Sequence, residues 1–164
     1  MKIVNFKLQS VFSDKAHKIF RQERDKLSKI LPNADIQHIG STAILNAITR
    51  NDLDLQVRVE KTDFQKAVKE LKKLYKVNQL HNWTENYASF KDDKKDMPVD
   101  VQLTTIDSEY DKLFQEQQRL LSNNPEVLKE YNKLKLSFEG KDISEYIAAR
   151  ARFFEELETR DLLH

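Results

Sequence analysis

Two short segments of this sequence hold the residue types that phosphate chemistry needs. The first is Gly40-Ser41-Thr42, which ends the alternating run Asp35-Ile36-Gln37-His38-Ile39. A glycine there lets the backbone come close to an anion, and the serine adds a hydroxyl to the amides of the turn that follows. The second is Asp52-Leu53-Asp54, beginning ten residues after Thr42. Carboxylates two apart on a strand share a face and can hold one divalent cation or bridge two. Asp100 alternates with Val99, Val101 and Leu103 in the same way and offers a third carboxylate. Asp52, Asp54 and Asp100 around Mg²⁺ or Mn²⁺, with a phosphate on Gly40, Ser41, Thr42 and Arg50, suit metal-assisted phosphoryl or nucleotidyl transfer. His38 is expected to support the turn by a hydrogen bond.

The elements that must position these groups follow from periodicity. Phe12, Ala16, Ile19, Phe20, Leu27 and Ile30 predict a helix over about 13–31, capped by Ser13 or Asp14 and ended at Pro32-Asn33. Leu53, Leu55, Val57 and Val59 alternate strictly, which puts Asp52, Asp54, Gln56 and Arg58 on the opposite face, where Arg58 could pair with the aspartates. Thr62-x-x-Gln65 reads as a capping box before a helix that includes Phe64, Val68 and Leu71. Residues 86–90 and 99–103 read as strands joined by a solvated loop over 91–96. Helices are expected after Ser108, after Asn124-Pro125 and after Gly140. Leu113, Leu120, Leu128, Tyr131, Phe153 and Leu157 are expected to share a buried stripe. Trp83 and Tyr87 could stack a base or simply pack.

The segment His38-Ile39-Gly40-Ser41-Thr42-Ala43-Ile44 resembles the HIGSTAV signature of the GrpB-like family of the nucleotidyltransferase superfamily. Asn124-Pro125-Glu126, Glu130-Tyr131, Lys133-Leu134-Lys135, Tyr146 and Arg152-Phe153-Phe154 look like that family's helical tail. The resemblance covers nearly the whole chain. It implies a nucleotidyltransferase-like fold, with the family's strand aspartate at Asp54 and a nucleoside triphosphate and an unidentified acceptor as partners. The chain departs from the family pattern in three places. Leu45-Asn46-Ala47 replaces Pro-Gly-Leu, Arg50-Asn51 replaces Lys-Pro, and Asp100-Val101-Gln102 replaces a His-x-His pair. Gln56 stands where active nucleotidyltransferases often carry a second acid.

The 164 residues suit one domain, with a core over about 1–106 and a helical tail over about 107–164. The expected fold is α/β, of the α+β kind: a mixed sheet with helices and a C-terminal helical block. With 28 Lys plus Arg against 27 Asp plus Glu, no global field exists to recruit DNA or an anionic membrane. No cysteine is present, which excludes disulfides and thiolate zinc sites, and His17, His81 and His164 make no ligand spacing. Two glycines in total exclude a Gly-rich nucleotide loop. No apolar leader or span is evident, so a cytoplasmic protein is expected. Two functions fit: a Mg²⁺-dependent enzyme moving a nucleotidyl group from a nucleoside triphosphate to an acceptor, or an inactive nucleotide-binding or protein-interaction module of the same fold.

Overall fold

The computed structural model describes residues 1–162. His164 therefore lies outside the described residues. In chain order the elements are β1 (Lys7–Leu8), α1 (Gln9–Ile30), β2 (Asp35–Ile39), β3 (Ile48–Thr49), β4 (Leu53–Val59), α2 (Phe64–Leu74), β5 (Lys76–Asn78), β6 (Tyr87–Asp92), β7 (Val99–Thr105), α3 (Glu109–Asn123), α4 (Pro125–Ser137) and α5 (Ile143–Thr159). A short 3₁₀ turn, Ser41–Ala43, follows β2. Five strands form a mixed sheet in the order β2-β4-β7-β6-β5, with β4 and β7 parallel and the other pairs antiparallel. β1 and β3 pair separately.

The period-2 pattern of β4 and β7 sets the layering. Leu53, Leu55, Val57, Val99, Val101 and Leu103 are wholly buried against α1 and α2. The opposite face carries Asp54, Gln56 and Arg58, and it is not a solvent face. Helix α3 lies across it, and Asp111 of α3 accepts hydrogen bonds from Gln56 (2.8 Å) and Arg58 (2.6 and 3.0 Å). Gln115 donates to Gln37 and Gln56. Arg58 thus pairs with Asp111 and Asp35, not with Asp52 or Asp54. Charged groups on a covered face must be satisfied locally, and Asp111 is the nearer acceptor.

The tail closes on the segment after the Gly-Ser turn. Ile44 and Ala47 pack with Leu121, Val127, Leu128, Tyr131 and Leu157. Leu113, Leu120 and Phe153 are only partly buried, while Leu121 is buried, so the stripe runs one residue away from Leu120. Helix α1 begins at Gln9, ahead of Ser13, because tertiary bonds hold its first turn: Gln9 N donates to Ala47 O and Gln9 Nε2 to Thr42 O. The Thr62–Gln65 box does not form. Thr62 lies in a 3₁₀ turn, and α2 starts at Phe64 with no side-chain cap. Trp83 packs on Phe90 and donates its indole N–H to Asn78 O. Among the described residues no helix is long and apolar enough to cross a membrane.

Candidate active site

Strand register assembles the carboxylates. Asp54 and Asp100 are paired positions of the parallel strands β4 and β7, so they share a face about 4.8 Å apart along the sheet. Asp52 precedes β4, just after Asn51, whose φ of 69° turns the chain into the strand. Burial, then the charges of Asp52 and Asp100, push the Asp54 carboxyl up to about 8. Burial, then Asp52, push Asp100 up to about 6. Asp52 is the largest charged influence on both of the others, and it lines both the cavity that contains Asp54 and the cleft that contains Asp100. It is also held by Arg50, at 3.1 Å.

Gly40 is required by this packing. Its φ is +78°, and a Cβ built there would lie 2.9 Å from Asp54 Cγ and closer still to Oδ2. The Gly-Ser turn is therefore pressed against the Asp54 carboxylate by backbone geometry. Gly40 N donates to Gln118 Oε1 at 2.9 Å, which ties the turn to α3. The other turn residues divide. Ser41 lines a cavity of about 200 Å³ together with Gly40, Thr49, Arg50, Asp52 and Asp54. Thr42 does not reach it. Its side chain is fully buried, 2.9 Å from His38 Nε2, so its hydroxyl cannot meet a phosphate. His38 is stacked on Phe20, and burial followed by the charge of His17 lowers it to about 4, so it is a neutral support for the turn.

The cavity's other wall comes from the helical tail, and its key groups are not apparent from strand-and-turn patterns. Lys135 of α4 is 2% exposed and has no carboxylate partner within ion-pair distance among the described residues. Its Nζ donates to Ser41 Oγ and to Ile48 O (2.6 Å), and it stands 4.2 Å from the Tyr131 ring centre. Burial, followed by the nearby charge of Arg150, lowers it to about 7. Arg150 of α5 also lines the cavity, is solvent-exposed, and has no ion-pair partner among the described residues. Tyr87 and Phe114 also line the cavity, with Tyr87 stacked on Tyr110 at 4.4 Å. The hydroxyl of Thr49, a residue only 1% exposed, has no hydrogen-bond partner among the described residues. Arg50, Arg150 and the titratable Lys135 face Asp52 and the titratable Asp54 in this lining, a balance that favours an anionic guest, whose charge would in turn hold Lys135 protonated.

The three aspartates do not form a ready-made cation cage. Among the described residues no three His, Cys, Asp or Glu side chains are arranged to hold a metal ion. Asp52 and Asp54 line the first cavity, whereas Asp100 opens into a second cleft that also contains Arg50 and Asp52. The donors are all hard oxygens, which suit Mg²⁺. That ion is usually held by one or two carboxylates, with substrate phosphates completing its shell.

Residues 12–160 match the GrpB protein family. The chain belongs to the GrpB family. Over 139 residues it is 29% identical to a UPF0157 protein of Vibrio cholerae serotype O1, covering 85% of this chain and 73% of that protein. Its structure is similar to that of the conserved protein GrpB from Enterococcus faecalis, with a TM-score of 0.77, 19% identity and 96% of each chain covered. A more distant likeness is to Cid1, described as having RNA terminal uridylyl transferase activity: TM-score 0.50, 16% identity, covering 74% of this chain and 37% of Cid1. These likenesses show that the GrpB chain has a nucleotidyltransferase-like fold.

Proposed function

We propose that this protein binds a nucleoside triphosphate with its phosphates between Ser41 and the Lys135–Arg150 wall, and transfers the nucleotidyl group to an acceptor hydroxyl in the cytoplasm. The observation that carries the reading is the buried Lys135 amino group, hydrogen-bonded to Ser41 and lacking a carboxylate partner among the described residues, in a cavity that also contains Asp54. A desolvated amino group with no carboxylate in ion-pair contact among the described residues is suited to an anion. The cavity, at about 200 Å³, is smaller than the roughly 300–1,000 Å³ of sites that enclose whole ligands. It suits the phosphates, leaving the base against the aromatic part of the lining, near the partly exposed Phe114.

Asp54 and Asp52 are the residues that would hold Mg²⁺, which when bound neutralises charge on the phosphates. The acceptor oxygen forms a bond to the α-phosphorus. The bond from that phosphorus to the bridging oxygen breaks, and pyrophosphate leaves with the electron pair. Asp100 of β7, paired with Asp54 of β4, takes the hydroxyl proton. Lys135 and Arg150 stabilise charge on the departing phosphates.

The Arg50–Asp52 ion pair favours a second reading, an inactive nucleotide-binding or protein-interaction module, because it occupies one acid of the set. Gln56, buried among Thr104, Asp111 and Gln115, offers no replacement. The two readings separate in one assay, with nucleoside triphosphates labelled at the α-phosphate, Mg²⁺ and a mixture of small metabolites and RNA. Transfer of label to an acceptor, abolished by Asp54→Asn, supports the enzyme. Nucleotide binding with no transfer supports the module.

A further inference from the structure

The second cleft lies beyond the Arg50–Asp52 pair and has a volume of about 520 Å³. It is walled by the N-terminal segment, the ends of β6 and β7, and the start of α5. The N-terminal segment is held by Val4 N donating to Lys141 O and by Ile143 N donating to Lys2 O. Asp100 lies in its lining, and Arg50 and Asp52 are common to both cavities. A molecule seated here therefore meets the proposed transfer site at Arg50 and Asp52.

The chemistry of the lining narrows what that molecule is. Its charges balance, with Lys2, Arg50 and Lys91 against Asp52, Asp93 and Asp100. Two of the three pairs are closed, Arg50–Asp52 at 3.1 Å and Lys91–Asp93 at 2.9 Å. A polynucleotide strand needs a cationic track to offset its phosphates, and this cleft has none. Asn5, Asn51 and Asn78 supply neutral amides that donate and accept, the match for hydroxyl groups. The Asn51 side-chain oxygen is buried without a hydrogen-bond partner among the described residues, an unsatisfied acceptor in a residue that lines the cleft. Ile3 and Ile147, about half exposed, offer an apolar lip for a ring face. The volume falls within the roughly 300–1,000 Å³ usual for small-molecule sites.

We infer that this cleft is the acceptor site and that it takes a small, uncharged polyhydroxyl molecule of the sugar or cyclitol class. The inference rests on the transfer reading above. In that transfer the acceptor oxygen bonds to the α-phosphorus, pyrophosphate leaves with the electron pair, and the hydroxyl proton passes to Asp100.

Amide resonances of the full chain report the two sites separately. The probes are Mg²⁺-ATP, glucose and myo-inositol at millimolar concentration, and a short oligouridylate. Each polyol is titrated with and without Mg²⁺-ATP. The expected result is saturable movement of Asn51, Asn78 and Asp100 with at least one polyol. Ile147→Trp, which fills the lip, should weaken that response at least tenfold and leave the Mg²⁺-ATP response at Gly40 and Ser41 intact. Ile147→Ala should retain it. Absence of any polyol response at these residues overturns the inference, and so does oligouridylate moving them where the polyols do not. Failure of Mg²⁺-ATP to move Gly40 and Ser41 counts against the nucleotide reading, and the polyol titration without nucleotide still decides the cleft.

Discussion

Lys135 Nζ donates to Ser41 Oγ, joining helix α4 to the Gly-Ser turn across 94 residues of sequence. The turn alone would be a helix-like cap. With the ammonium behind it, the turn becomes one wall of a cationic cavity. Lys135→Met keeps the length and removes the charge. Affinity for Mg²⁺-ATP is expected to fall roughly ten- to a hundredfold, the scale of a charge-assisted hydrogen bond worth about 1.5–3 kcal/mol. Calorimetric titration of both proteins measures this, and equal affinities would remove Lys135 from the site.

The same lysine sets a pH dependence. Its folded value, about 7, is below its ordinary value of 10.5, so between these limits the unfolded chain binds more protons than the native one. Stability should rise with pH across that window in the parent relative to Lys135→Met, and the two should run parallel below about pH 7. Denaturant midpoints at pH 6, 7, 8 and 9 provide the comparison. A constant difference would show that the ammonium is not desolvated.

Asp54 has the opposite sign. Its carboxyl is raised from 3.8 to about 8, so the native state holds a proton that the unfolded chain has lost. Stability linked to this group is present at acidic pH and declines as pH climbs through about 8. Without divalent cations, Asp54→Asn should be more stable than the parent at pH 8 and nearly equal to it at pH 4. Mg²⁺ should then stabilise the parent by about 2.7 kcal/mol at a hundred times its dissociation constant, and the variant much less. If Mg²⁺ shifts the melting temperature of both proteins equally, Asp54 holds no cation.

Gly40→Ala tests the turn itself. A left-handed backbone and a Cβ directed into Asp54 both oppose alanine. The expected cost is at least about 1–2 kcal/mol, more than the ordinary glycine-to-alanine effect, with loss of nucleotide binding. An unchanged urea midpoint would show that the turn and the carboxylate are not in contact.

Much of the frame was legible in the sequence because it follows local rules. The alternation in 53–59 and 99–103 predicts β4 and β7, and the HIGST segment places the turn beside Asp54. What local pattern could not reveal depends on which element covers which face. Gln56 and Arg58 have the spacing of solvent residues, yet α3 covers them, and only Asp111 in three dimensions explains their pairing. Thr42 reads like a phosphate contact but is turned inward by His38. Lys135 looks like one more helix lysine. Its place in the apolar stripe beside Tyr131 and Leu128 was the available signal, since a lysine on a buried face needs a reason to be there.

Packing of the tail gives a further check. Leu121 is 5% exposed within the cluster that closes on Ile44, while Leu120 is only partly buried. Leu121→Ala should cost about 2–5 kcal/mol, and Leu120→Ala clearly less. Urea denaturation of the two variants ranks them. The reverse order would mean that the helix is rotated by one residue.

The most direct test of the site is calorimetric titration of ATP, with Mg²⁺ present and absent, into the parent, Lys135→Met and Asp54→Asn proteins at pH 7.5. Each variant should remain folded by circular dichroism. Saturable binding is expected in the parent, weakened by Lys135→Met whether or not Mg²⁺ is present, and no longer enhanced by Mg²⁺ in Asp54→Asn. No binding in the parent, or identical isotherms for all three proteins, would contradict a nucleotide site between the Gly-Ser turn and the helical tail.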